Sequence, residues 1–298
     1  MKRILVTGSE GFIGKPLVSA LKSSNLEVFT LDILPGNELN GHFVADIVSA
    51  DLNLICNNVK PDAIIHLAAQ IQVGASFTNP ELDLDINGKG TLRLIEAAIS
   101  SGCNNFCYIH SGGAVYDSNA PVPVYEDGAE LPQSPYGLTK RLGEDYVKVY
   151  SSKFGFSWSS LALSNCYGQV SVNQKGVIYQ FWKALAEGKQ AVINGREVTR
   201  DFVHVDDVVR AIILAVDNPT NCRVNISSAV ETSLESLYEI VSSELGMSQE
   251  PDYRDSIVGE IRRSCLSNEK AKKLLGWSPE IDIVTGIKAS IKISGPKK

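Results

Sequence analysis

Metal-binding and disulfide patterns are missing from this sequence. Its four histidines are scattered, and its six cysteines, at 56, 103, 107, 166, 222 and 265, form no CxxC pair. That leaves neither a zinc site nor a disulfide framework. Cys107, Cys166 and Cys222 stand in apolar runs, the setting of reduced thiols used as small hydrophobes, which predicts a cytoplasmic protein. No basic run exceeds a few residues and the net charge is −6, so no nucleic-acid surface is expected. The final Lys297-Lys298 pair reads as a solvated tail. Long apolar runs are also absent: Ala211 to Val216, with Val208 and Val209 before it, is far too short to span a bilayer, and no membrane partner is expected. Met1-Lys-Arg before Ile-Leu-Val imitates the start of a signal peptide, but Gly8-Ser-Glu-Gly11 breaks the apolar segment too early. Internal repeats and low-complexity tracts are lacking. A chain of 298 residues can bury one large α/β unit or two intimately joined lobes.

What is present begins at the first residues. Ile4 to Val6 reads as a buried strand that stops at a turn carrying Gly8, Gly11 and Gly14, with a helical pattern starting at Phe12 and running from about Lys15 to Ser24. Glycines let backbone approach a pyrophosphate, and a helix N-terminus offers free N–H groups to it. The spacing is GxxGxxG rather than GxGxxG, and an ordinary strand-to-helix turn would look the same in isolation. A second strand, Glu27 to Leu31, ends at Asp32, at the distance expected of a ribose hydroxyl partner. Asp32 would repel a 2′-phosphate and Ile33, Leu34 and Pro35 bring no cation, so NAD is favoured over NADP.

Strand and helix patterns then alternate, which predicts a parallel sheet with helices on both faces. Ala63 to Ala68 and Phe106 to Ile109 read as strands, with a helix from about Leu84 to Ser100 between them. The carboxyl ends of the strands should bring Gly8, Asp32, Ala68 to Gln70 and Ser111 to one rim. Asp117 to Pro135, with four prolines, reads as an irregular loop. Tyr136-Gly-Leu-Thr-Lys140 opens a helix through Tyr150, and four residues apart on a helix puts the phenol beside the ammonium. A lysine there favours the phenolate and lowers the tyrosine pKa, giving a base for a sugar hydroxyl. A strand from Ser157 to Asn165, a helix ending at Val216 and a strand Arg223 to Ile226 complete the pattern, before helices near 233–245 and 268–275. The domains expected are a dinucleotide-binding domain over 1–165, with 199–228 returning to it, and a smaller, discontinuous substrate lobe over 166–298, built partly from Cys166 to Ile193. The fold class is a doubly wound, Rossmann-like α/β sheet with that lobe appended.

These residues together resemble the extended short-chain dehydrogenase/reductase family, in its nucleotide-sugar epimerase and dehydratase branch. The resemblance covers nearly the whole chain: Thr7 to Gly14, Asp32, Asp46-Ile47, His66-Leu-Ala-Ala-Gln70, Asn87-Gly-Lys-Gly-Thr91, Val115-Tyr116, Ser134-Pro-Tyr136 to Lys140, Asn165-Cys-Tyr-Gly168, Arg200 to Asp207 and Leu275 to Pro279. It implies Tyr136 as catalytic base and Lys140 as holder of the nicotinamide ribose. It implies a cofactor site of Gly8, Gly11, Phe12, Ile13, Gly14, Asp32, Asp46, Ile47, Leu67, Ala68, Ala69, Gln70 and Asn87 beside Tyr136 and Lys140. Substrate would meet Ser76, Gly112, Tyr116, Asn165, Arg200 and Arg262 or Arg263. Where the branch carries a catalytic Ser or Thr, Gly112 stands, so Ser111 is the nearest hydroxyl; Ala162 and Asp117 also depart from common family residues. The function implied is an NAD-dependent epimerase inverting C4 of a UDP- or dTDP-hexose through a 4-keto intermediate, as a homodimer pairing the helices near Leu84 and Tyr136. A nucleotide-4-keto-sugar reductase and a non-catalytic NAD-binding regulator are the alternatives.

Overall fold

The structure, a computed structural model, describes residues 1–36, 41–168, 176–255 and 261–294, so the Lys297-Lys298 tail and part of the Cys166 to Ile193 stretch lie outside the described residues. The chain opens with β1 (Lys2–Thr7), α1 (Gly14–Lys22), β2 (Leu26–Asp32), β3 (His42–Val44), α2 (Leu52–Val59) and β4 (Ala63–His66). Next come α3 (Val73–Thr78), α4 (Pro80–Asp83), a π-wound turn over Leu84–Gly90, α5 (Thr91–Ser100), β5 (Asn105–Ser111), the short α6 (Gly112–Val115), α7 (Pro135–Phe154) and β6 (Ser157–Leu163). The helix expected from Leu84 therefore begins at Pro80 and widens in its second turn. Glycine at 88 and 90 permits this, because a Cβ at Gly90 would lie 2.8 Å from Ile47 and one at Gly88 would press on Leu84 and Leu142.

The rest of the chain is β7 (Asn165–Tyr167), α8 (Val177–Ala186), β8 (Val192–Asn194), β9 (Thr199–His204), α9 (Val205–Asp217), β10 (Arg223–Ile226), β11 (Glu231–Ser233), α10 (Leu234–Glu244), β12 (Asp252–Arg254), α11 (Glu269–Leu275) and α12 (Ile283–Ser294). Seven strands form an all-parallel sheet in the order β10-β6-β5-β4-β1-β2-β3. Parallel strands are covered on both faces, which is why they read as unbroken apolar runs rather than alternating ones. One face packs α1, α9 and α11 with Trp277; the other packs α2, α5 and α7. The neighbours of β1 are β2 on one side and β4 on the other, so the strand order reverses there, and a crevice opens at the carboxyl ends.

The second part of the chain is more interleaved than its expected boundaries. β9 joins β7 and β11 in a small three-stranded sheet, so the return to the large sheet starts at α9 rather than at 199. Glu269–Leu275 and Trp277 also pack on the large sheet, although they fall inside the span expected as the substrate lobe. The lobe keeps a core of its own around Phe181, Ile193, Phe202, Leu237, Tyr238 and Ile287.

Local chemistry fixes the ends of the helix that matters most. In α7 the Ser134 hydroxyl accepts from the Gly137 amide at 3.1 Å, Pro135 fills the first turn, and Gly155, at φ +79°, stops the helix. No helix of the described residues is long and apolar enough to cross a membrane.

Candidate active site

A cavity of about 590 Å³ lies across the crevice, a size suited to a cofactor. Gly8, Gly11, Phe12, Ile13 and Gly14 form one wall. Gly8 has φ +71°, and a Cβ on it would lie 2.6 Å from the Ala68 nitrogen, so only glycine lets this turn press on the loop after β4. No side chain caps α1, and among the described residues the Phe12 and Ile13 amides engage no backbone carbonyl. That is the arrangement a pyrophosphate needs.

Asp32 ends β2 facing the same cavity. Its two carboxylate oxygens accept from the amides of Glu10 (2.8 Å) and Leu34 (3.0 Å), which aim the remaining lone pairs at the cavity. Lys15 is paired with Glu10 at 3.4 Å, and among the described residues lining this end there is no Lys or Arg to receive a 2′-phosphate, while Asp32 offers acceptors to a ribose diol. Asp46, Ile47, Leu67, Ala68 and Ala69 line the cavity as well. The glycine cradle, the open helix start and the carboxylate thus fit NAD.

At the other end lie Ser111, Tyr136 and Lys140. The Ser111 hydroxyl lies close enough to the Tyr136 phenol to pull its pKa down. It makes no cap to α6. Gly112 is buried where a Cβ would collide with Leu266. A side-chain hydroxyl therefore has no room at 112, and 111 is the position that presents one. Lys140 is buried, with its amine 4.3 Å above the Tyr108 ring.

The electrostatics differ from the expected picture. Burial pushes Tyr136 up to about 12, with the Ser111 hydrogen bond pulling the other way, while burial brings Lys140 down to about 7 against the pull of Asp83. Burial outweighs every lowering influence on the tyrosine, so a lysine at 140 does not bring the phenol below its ordinary value.

Several expected site residues face elsewhere. Gln70 and Asn87 lie behind the cavity wall: Asn87 accepts from the Gln70 amide at 2.9 Å and donates to the Gln70 carbonyl at 3.0 Å, so it braces the loop rather than touching the cavity. Ser76 is buried and donates to the Val73 carbonyl. The Tyr116 hydroxyl donates to Asn225 at 2.9 Å beneath Arg223. Gly112 lines a separate small recess with Arg263, Ser264 and Leu266. Arg263 pairs with Glu231, Arg200 donates to the carbonyls of Thr199 and Ile261, and Asn165 and Arg262 are exposed; none of these four lines the cavity. The sequence reading missed His110, Ser164 and Ile86, which do line it. The position of His110 directly before Ser111 was the available signal.

Residues 4–227 match the profile of the NAD dependent epimerase/dehydratase family. A UDP-glucose 4-epimerase of Mycolicibacterium smegmatis is 38% identical over 97% of this chain and 97% of its own. Among solved structures, the UDP-glucose 4-epimerase of Thermotoga maritima with UDP-glucose has a TM-score of 0.92 at 32% identity, covering 97% of both chains. That of Thermus thermophilus, in complex with NAD, has a TM-score of 0.88 at 28% identity, covering 97% of this chain and 98% of that one.

Proposed function

The chain belongs to the NAD dependent epimerase/dehydratase family, and from that membership we propose that it inverts C4 of a UDP-hexose through a transient 4-keto sugar. The observation that carries the residue assignment is the gathering of Ser111, Tyr136 and a buried Lys140 at the far end of a cavity whose other end suits adenosine. Bound NAD supplies the hydride acceptor and donor and, in its oxidised form, a positive charge that favours the phenolate. Tyr136 Oη takes the proton of the C4 hydroxyl, and Ser111 Oγ donates to the C4 oxygen as it becomes a carbonyl. The Lys140 ammonium steadies the phenolate and holds a ribose hydroxyl. After the keto sugar turns its other face, Tyr136 returns the proton.

The diphosphate would rest against Asn165, Arg200 and Arg262, where β7, β9 and the Ile261–Ser264 segment meet: the Thr199 amide bonds the Arg262 carbonyl at 2.8 Å. A homodimer through α7 and the helices before α5 is supported by exposed Phe77, Leu82, Leu84 and Leu138 on packed neighbouring elements.

Incubating the protein with UDP-glucose or UDP-galactose, and separately with dTDP- and GDP-hexoses, and following the sugar by NMR tests the function. Approach to one UDP-glucose/UDP-galactose mixture from either side, without added cofactor, is the expected result. No conversion of any UDP-hexose would refute it.

A further inference from the structure

Behind Tyr136 and Lys140 lies a carboxylate that the mechanism above does not use. Asp83, the last residue of α4, is fully buried. Oδ2 accepts from the Thr139 hydroxyl at 2.5 Å; Oδ1 accepts from Gln70 Nε2 at 2.6 Å and Asn87 Nδ2 at 3.3 Å. Both amides are pinned by backbone N–H groups, since Asn87 Oδ1 accepts from the Gln70 amide and Gln70 Oε1 from the Gln72 amide. Their NH₂ groups must therefore face Asp83, which meets only donors, the surroundings of an ionised carboxylate.

No cation touches it: among the described residues no ion pair within 4 Å involves Asp83. A buried, unpaired charge is costly unless something nearby uses it. Thr139, its strongest partner, sits immediately before Lys140 on α7. We propose that Asp83 is a positioning residue for the epimerisation, whose buried carboxylate is the fixed counter-charge of the Tyr136–Lys140 couple. This rests on the assignment of that couple as the acid–base machinery.

The other titratable groups around the couple leave Asp83 as the charge that acts on both. From β4, His66 is held at about 3 by burial; from β5, His110 is held at about 3 and Tyr108 well above its ordinary value, so all three are neutral near pH 7. From α7 itself, Glu144 is spent on Arg223 and Lys148. Ser111 contributes a hydrogen bond and no charge. The Asp83 charge raises both Lys140 and Tyr136. It keeps the lysine cationic to higher pH and, beneath the larger effect of burial, raises the pH at which the phenol ionises.

The test is the pH dependence of kcat in Asp83→Asn, with Asp83→Ser as the second neutral variant should the amide not fold, and Asp83→Glu as the charged control. Loss of the charge lowers both pKa values, so both limbs of the profile should slide toward acid by on the order of one pH unit. Asp83→Glu should keep the limbs of the parent. A neutral variant whose activity falls while its limbs stay in place would overturn the proposal and leave Asp83 a structural brace. If Tyr136→Phe retained full activity, the assignment of the couple would fail instead, and the two failures are told apart in one set of assays.

Discussion

Tyr136 is asked to lose a proton in a place that resists it. Burial, with a smaller push from the Asp83 charge, carries it up to about 12, and the Ser111 hydroxyl is the one group pulling it down. The phenol is thus of use only once the cavity is charged and filled, which suits a group that should stay inert between turnovers. Tyr136→Phe should lower kcat by roughly 10²–10⁴-fold with NAD affinity kept, since the ring still fills its place. Steady-state epimerisation beside NAD calorimetry measures both, and wild-type turnover in the variant would dismiss the tyrosine as base. Ser111→Ala should reduce kcat with KM nearly unchanged, because its hydrogen bond strengthens as charge develops at O4. An altered KM with intact kcat would make Ser111 a binding residue only. The hydroxyl at 111 could be suggested from sequence because the family pattern pointed to 112, but the reason for the shift could not. That reason is Leu266, more than a hundred residues away, pressed against Gly112.

Helix α7 approaches β5 closely because it has no side chain at 143. A Cβ there would collide with the Tyr108 hydroxyl, which donates to the Lys140 carbonyl at 3.0 Å and so registers the helix on the sheet. Gly143→Ala should cost about 1–3 kcal/mol of stability through overpacking. The same substitution in a Tyr108→Phe background should cost less, and thermal melting of the four proteins closes the cycle; equal costs in both backgrounds would remove the tyrosine from the account. At this scale the sequence was readable where burial is two-sided: the apolar runs Ile4 to Val6, Ala63 to Ile65 and Phe106 to Ile109 mark β1, β4 and β5. It was unreadable where pairing is short or long-range. β7, β9 and β11 have three to six residues each and no periodic signature, so nothing in the sequence shows that Thr199–His204, inside the 199–228 span expected to return to the large domain, pairs in the small sheet. The π-wound turn was read as ordinary helix because its apolar spacing is nearly helical. Nothing in the sequence singles out Asp83, since only the pinned amides of Gln70 and Asn87 reveal it as interior.

Across the whole molecule, buried histidines make acid the weak flank. His66 bonds Thr7 at 2.8 Å and Thr91 at 2.9 Å, and His110 accepts from the Ser111 amide; both are held near 3 against an ordinary 6.5. Their folded values lie below the unfolded one, so the unfolded chain gains protons first as pH falls. Stability is full above about 6.5 and drains away toward 3, by about 2 kcal/mol per histidine at pH 5. Glu144, held down at about 2 by Arg223 and Lys148 against its burial, adds a further loss below its ordinary 4.5. Melting temperature should therefore fall steadily from pH 7 to pH 5, and a flat profile would contradict the buried, neutral state of these rings. The proposed dimer has its own check: Leu138→Glu, on the exposed side of α7, should convert a dimer to a monomer in sedimentation without unfolding it. A wild-type monomer at micromolar concentration would remove the dimer.

The chain crosses into the smaller lobe and comes back twice, first at α9 and again through α11 and Trp277, whose indole is buried in the main core and donates to the Asp207 carbonyl at 2.9 Å. A lobe stitched at several points cannot swing away as a hinged lid without tearing that core. The expected consequence is a long residence time: with the lobe held in place, a dinucleotide in the crevice should leave slowly compared with one catalytic cycle. Protein purified from cells should carry its dinucleotide through dialysis, visible as excess absorbance at 260 nm and released only on denaturation; loss of that absorbance on simple dialysis would show that the crevice opens freely.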